Sequence, residues 1–229
     1  MKTIGILGGM SAASTQIYYR ELCCLTQARL GGLHSPDLLI RSVDFAPVAA
    51  RQAEGDWPAL AAALNREARA LERGGADLLI LASNTMHKLA DPMMSGLSIP
   101  LVHIAEATAA QIAAAGLQAP GLMATAFTME EPFYADRLRA AGLTPHIPGA
   151  ADRATTHRII YDELCKGITT EDSRRTYQGI AARLFEAGAD CLILGCTEVC
   201  LLLNADTVPG PVFDTALIHC EAALDQALA

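Results

Sequence analysis

The sequence predicts an α/β protein built as two related halves, and three observations carry that expectation. Short apolar runs alternate with longer helix-like segments along the whole chain, the pattern of βα units feeding a parallel sheet. An eleven-residue stretch starting at Gly75 recurs at Gly188, an offset of 113 residues. With 229 residues, 52% of them apolar and 18% charged, the chain has core material for one large domain or two of about 100 residues each, and disorder is excluded.

The elements follow in order. Residues 4–7, 37–43, 77–82, 101–104, 120–124, 191–194 and 212–213 are apolar runs of strand length. Between them, residues 59–73 place Leu60, Leu64 and Leu71 on one stripe and read as an amphipathic helix, as do residues 173–187. No Ser/Gly-rich linker or charge block divides the chain.

Charge narrows the partners. Seventeen Lys and Arg against 25 Asp and Glu give a net charge of −8, without the basic stripe that nucleic acid or an anionic membrane selects. A small molecule or another protein is the expected partner. No stretch approaches ~18 uncharged apolar residues, so no membrane span is predicted. The chain opens directly on a strand-like run with no secretory leader pattern, so a cytoplasmic protein is expected. Its seven cysteines, at 23, 24, 165, 191, 196, 200 and 220, are then expected as thiols. Cys196 and Cys200 have metal-like spacing, but no second Cys/His pair completes a zinc site.

The repeat pairs Gly75-Ala76-Asp77-Leu78-Leu79-Ile80-Leu81 with Gly188-Ala189-Asp190-Cys191-Leu192-Ile193-Leu194, identical at six of seven positions. Gly5-Ile6-Leu7-Gly8 and Gly121-Leu122-Met123-Ala124 form a weaker echo. Ligands of open parallel sheets sit at the carboxyl ends of strands. There the first copy carries Ser83, Asn84 and Thr85, and the second carries Cys196, Thr197 and Glu198. If a pseudo-twofold axis relates the halves, Ser83 and Cys196 flank one ligand from opposite sides, a geometry suited to taking a proton from one face of a carbon and returning one to the other. Packing alone accounts for the repeated Leu and Ile, but not for polar residues at both strand ends.

Leu7-Gly8-Gly9-Met10-Ser11, Ser14-Thr15, Tyr18-Tyr19-Arg20, Ser83-Asn84-Thr85, Gly195-Cys196-Thr197-Glu198 and Phe213-Asp214-Thr215, in that order, resemble the aspartate/glutamate racemase family over essentially the whole chain. Residues 29–35, 42–45 and 84–88 are similar to its enterobacterial branch of broad-specificity or L-aspartate/glutamate enzymes. The resemblance implies two flavodoxin-like α/β/α domains with parallel sheets and the active site between them. It also implies racemisation of aspartate, glutamate or related amino acids without pyridoxal phosphate or any other cofactor, with no metal, in a homodimer. The first domain is expected over residues 1–98 plus 206–229, and the second over 99–205.

Members of the family it resembles typically carry a cysteine at the first strand end, where this chain has Ser83. A thiol, with a reference pKa of ~8.5, supplies thiolate near neutrality; a serine hydroxyl is a far weaker acid and has no adjacent His/Asp relay in the sequence. Three accounts fit: a natural atypical racemase with Ser83 as proton donor or relay, a Cys-to-Ser variant, or diverted chemistry. Tolerance of a hydroxyl residue here in the enterobacterial branch favours the first. Cys196 is then the principal acid/base and Ser83 serves the opposite face, making the enzyme stereochemically lopsided. A single-cysteine decarboxylase or isomerase of the same superfamily and a catalytically silent amino-acid-binding protein are the alternatives.

The remaining candidates surround this pair. The glycines before Met10 and Ser11 are expected to bring backbone amides to the substrate carboxylate, with those two side chains at the wall. Asn84, Thr85 and Thr197 supply hydrogen-bond donors. The branch resemblance puts Gln52 near the substrate, against a solvated helix face. Thr125 and Thr128 mirror the Gly9–Ser11 region in the second half, or Thr128 caps a helix with Glu131. Cys165, beside Lys166, stands where many aspartate racemases have a lysine for the distal carboxylate, which leaves room for longer or neutral side chains. Glu198 tunes the thiol or receives the ammonium group, or else compensates a helix N-terminus. His87, four residues after Ser83, is either a helix-start residue or a partner of the site, and His103 and His219 are structural. The other cysteines are expected as packing residues.

Overall fold

The computed structural model describes all 229 residues apart from the side chains of Glu198 and Leu201. The elements run β1 (Ile4–Gly8), α1 (Ala12–Leu30), β2 (Leu38–Ser42), α2 (Phe45–Glu54), α3 (Trp57–Arg73), β3 (Leu78–Leu81), α4 (Ala90–Met94), α5 (Ile104–Ala114), β4 (Pro120–Ala124), α6 (Ala126–Glu130), α7 (Pro132–Ala140), α8 (Ala150–Asp162), α9 (Glu171–Glu186), β5 (Cys191–Gly195), β6 (Val212–Asp214) and α10 (Thr215–Leu228). Single 3-10 turns occupy Thr85–Leu89, Leu164–Lys166 and Thr197–Leu201. The chain divides into two compact units, Met1–Ile104 with His219–Ala229, and Ala105–Ile218. No helix among the described residues is long and apolar enough to cross a membrane.

In the first unit the parallel sheet has the order β2-β1-β3, with Ile4 opposite Leu38 on one side and Leu78 on the other. Every residue of β1 and β3 is buried, which explains their continuous rather than alternating apolar sequences. Helix α3 buries Leu60, Leu64, Ala68 and Leu71 along one stripe, and each such leucine contributes about 1.5–3 kcal/mol. Asp56 caps its start by accepting from the Ala59 amide at 3.1 Å, and Pro58 occupies the first turn, where its missing N–H costs nothing. The core joins this stripe to Leu7, Leu79, Leu81, Met86 and Met93.

The strand expected at 101–104 shrinks to one parallel bridge, Leu79 to Leu101. Pro100 has no amide to donate, and Ile104 already begins α5. With that bridge the order becomes 2-1-3-4, the flavodoxin order through its first four positions.

The second unit repeats this plan. Its parallel sheet has the order β4-β5-β6, and Gly121 bridges to His146 beyond β4. In chain order these are again positions 2-1-3-4. The core gathers Met123, Ile159, Tyr177, Ile180, Leu184, Leu192 and Leu194. The boundaries differ from those expected. Residues 206–218 belong to the second unit, because β6 hydrogen-bonds along β5, and the first unit extends to Ile104. Only from His219 onward does the chain return to the first unit, where the Ala227 carbonyl accepts from the Lys2 amide at 2.8 Å.

Candidate functional site

In the first unit, the turn after β1 is tightly packed. A side chain at Gly8 would run into Thr15, and one at Gly9 into the backbone of Val43. The Gly9 amide donates to Thr15 Oγ1 at 2.7 Å, and that hydroxyl donates to the Ser11 carbonyl at 3.1 Å. Gly9 therefore spends its amide inside the protein rather than offering it to a carboxylate, a correction to the expectation for this loop. Ser11 is buried and its hydroxyl accepts from the Ser14 amide at 3.2 Å, capping α1. Met10, 7% exposed, belongs to the core.

Gln52 is not on a solvated face: it is 4% exposed, and neither its amide oxygen nor its nitrogen has a hydrogen-bond partner. Leaving such a group unsatisfied costs about 1–3 kcal/mol, so a ligand or water that meets it regains that energy.

Ser83 sits just beyond β3 and is half-buried. Its hydroxyl accepts from the Met86 amide at 3.4 Å. The His87 ring does not reach that hydroxyl; its Nδ1 donates instead to the Ser83 carbonyl at 2.8 Å, while its Nε2 accepts from the Ile104 amide at 3.3 Å. No His-activated serine is formed. Asn84 and Thr85 follow, 5% and 7% exposed, at the entrance to the 3-10 turn.

In the second unit, Thr125 caps α6, its hydroxyl accepting from the Thr128 amide at 3.4 Å and lying 3.2 Å from the Thr128 hydroxyl. The capping residue of α6 is thus Thr125, and Thr128 lies inside that helix, fully buried. Cys196 directly follows β5 in extended backbone, half-buried against the core, and its carbonyl accepts from the Val199 amide at 3.0 Å. Thr197 beside it is 6% exposed. The Glu198 side chain lies outside the described residues.

Tyr177 connects several of these groups. Burial first, then the nearby Cys196, Glu163 and Cys165, push its phenol far above its ordinary value, and its hydroxyl donates to the Thr156 carbonyl at 3.0 Å. Cys165 and Cys196 therefore share surroundings, whereas Lys166 is 61% exposed with its ammonium 3.9 Å from Asp162. Sequence reasoning missed Tyr177. The available signal was its position on the buried stripe of α9 with Ile180 and Leu184.

Cys200 is more than a packing residue, because its thiol donates to Asp214 Oδ2 at 2.9 Å. The other oxygen of Asp214 accepts from the Ala216 amide at 2.9 Å. Cys191 matches the inert reading: burial and the adjacent Asp190 push its thiol up to about 12, so it stays protonated at neutral pH. Among the described residues no group of three or more His, Cys, Asp or Glu is placed to hold a metal ion.

Residues 7–223 match the Asp/Glu/hydantoin racemase family. The chain is 24% identical over 232 residues to a broad specificity amino-acid racemase of Bacillus subtilis, covering 99% of this chain and 98% of that protein. A Yersinia pestis protein provisionally designated an Asp/Glu racemase has a crystal structure similar at a TM-score of 0.93, with 44% identity and full coverage of both chains. An aspartate racemase homologue from Pyrococcus horikoshii superposes with a TM-score of 0.87 at 31% identity, again over the whole of both chains. The chain accordingly belongs to the Asp/Glu/hydantoin racemase family and is an enzyme of the isomerase class.

Proposed function

We propose that this enzyme is a cofactor-independent racemase of aspartate, glutamate or related amino acids, with Cys196 as the principal acid/base and Ser83 as the proton donor for the opposite face of the substrate Cα. The observation that supports this most is positional equivalence: Ser83 and Cys196 follow corresponding strands, β3 and β5, in two units with the same strand order.

The Cys196 thiolate takes the α-proton of one enantiomer, and the C–H electron pair stays on Cα, delocalised into the carboxylate. The Ser83 hydroxyl then gives its proton to the other face. The mirror-image amino acid forms, Cys196 is left as thiol and Ser83 as alkoxide, and proton exchange with solvent resets both. The Met86 N–H, already directed at the Ser83 oxygen, stabilises that transient charge. Asn84, Thr85 and Thr197, with Thr125 held in place by Thr128, donate to the substrate. Gln52 brings an amide with unspent hydrogen-bonding capacity, and Met10, Ser11 and Cys165 shape the walls.

The test is α-proton exchange in deuterated water from each enantiomer of aspartate and glutamate separately, with chiral analysis of the products. Lopsided exchange with inversion is expected. Full activity in Cys196→Ala would refute the scheme, and malonate decarboxylation or amino-acid binding without exchange would replace it.

A further inference from the structure

Behind Ser83 lies a buried cluster of His87, His103 and His219, respectively 3%, 6% and 0% exposed. The His87 ring centroid is 4.5 Å from that of His103 and 5.6 Å from that of His219. Hydrogen bonds determine where the protons sit. Carbonyl oxygens only accept, so His219 must donate from Nε2 to Val102 O at 2.7 Å, which leaves its Nδ1 to accept from the Tyr18 hydroxyl at 2.8 Å. By the same logic His87 donates from Nδ1 to the Ser83 carbonyl and accepts from the Ile104 amide at Nε2. Each of these two rings is a neutral imidazole of a single tautomer.

We infer that His87 is a positioning residue for Ser83, clamping the serine's carbonyl to the amide at the start of α5 and so aiming the hydroxyl that protonates the substrate. This rests on the racemase reading above. The corresponding position of the second unit holds no histidine. The position 113 residues after His87 is Cys200, whose thiol is turned to Asp214, and the Cys196 carbonyl accepts a backbone amide instead. The clamp stands behind the hydroxyl, the weaker acid of the pair. A donor that releases its proton reluctantly must meet the carbanion at short range and good alignment, so a small displacement costs it most.

The test follows the carbanion's fate. The starting material is the enantiomer that still exchanges its α-proton in Ser83→Ala, and two rates are compared: deuterium wash-in with retention, and inversion. In His87→Leu the ratio of inversion to wash-in should fall ~10-fold or more, with wash-in and KM staying within about twofold of the parent enzyme. His87→Asn, which keeps a donor near the Nδ1 position, should recover most of the ratio. A ratio unchanged in His87→Leu, or inversion and wash-in lost in equal proportion, overturns the inference. Nitrogen-15 NMR of the unsubstituted protein tests the clamp independently of folding and activity: an Nδ1–H resonance for His87 is expected, and an Nε2–H tautomer or a doubly protonated ring overturns the inference. Persistent exchange in Cys196→Ala would strike the racemase scheme instead, leaving the NMR result to judge the clamp.

Discussion

The two units share a scaffold down to single hydrogen bonds and differ at their strand ends. In the first, Asp77 accepts from the Thr3 amide at 2.7 Å; in the second, Asp190 accepts from Gln118 and Ala119 at 2.7 and 3.0 Å. Gly75 and Gly188 close the preceding helices with φ of 103° and 102°, a conformation that an L side chain rarely adopts. A Cβ on Gly5 would approach Leu79 to 2.6 Å, and one on Gly121 would approach Leu192 to 2.9 Å. The repeated Gly-Ala-Asp and Leu-Ile residues are therefore explained by helix termination, strand anchoring and packing. The copies part just beyond, at the residues proposed to carry the chemistry, where one has a hydroxyl backed by a histidine ring and the other a thiol with a Cys–Asp pair nearby. Repeat identity marks the frame, and the activity has to be sought where the copies diverge.

Four experiments sharpen that contrast, from the largest expected effect to the smallest. Removing the thiol in Cys196→Ala should lower racemisation by ~10³-fold or more, as loss of a principal acid/base does, measured by chiral chromatography. Leu79→Ala and Leu192→Ala, at matching points of the two cores, should each cost about 2–5 kcal/mol in urea unfolding. Trp57 fluorescence reports on the first unit, and a much milder loss for either variant would show that the two frames carry unequal load.

The third experiment is acid titration. Burial lowers His219 from 6.5 to about 4, although its bond to Val102 pulls the other way. The unfolded chain binds that proton more readily, so the neutral ring's contribution is complete above pH 6.5 and disappears as the pH falls through 4. On the order of 3 kcal/mol is at stake. His219→Gln should flatten this part of the pH–stability curve, and an unchanged slope would contradict the assignment. The smallest effects belong to the strand anchors. Burial raises the Asp190 carboxyl, but the bonds from Gln118 and Ala119 outweigh it and hold the group below its ordinary value. With two accepted amides against one, Asp190→Ala should cost about 2 kcal/mol and Asp77→Ala about 1 kcal/mol, by urea titration.

Much of the fold was legible because it rests on local pattern. Fully apolar runs of strand length and the Leu60–Leu64–Leu71 stripe report burial directly. The element that failed, 101–104, is a place where the chain's own preference was weak and Pro100 removed a donor. The unit boundary was misplaced for a related reason: Val212 and Phe213 read as a strand, but nothing in a three-residue strand says which sheet it joins.

For the candidate site, residue types and spacing singled out the positions: Ser83, Asn84 and Thr85 after β3 in the first unit, and Cys196 and Thr197 after β5, with Thr125 after β4, in the second. Only the tertiary structure decided what each polar atom does. It turned the Gly9 amide inward to Thr15, buried the Gln52 amide without a partner, set Tyr177 beside Cys165 and Cys196, and aimed His87 at a carbonyl rather than at the serine hydroxyl four residues away. The physical reason is that burial of apolar side chains is written in sequence periodicity, whereas a hydrogen bond depends on angles and a few tenths of an ångström that residues far apart in the chain set together.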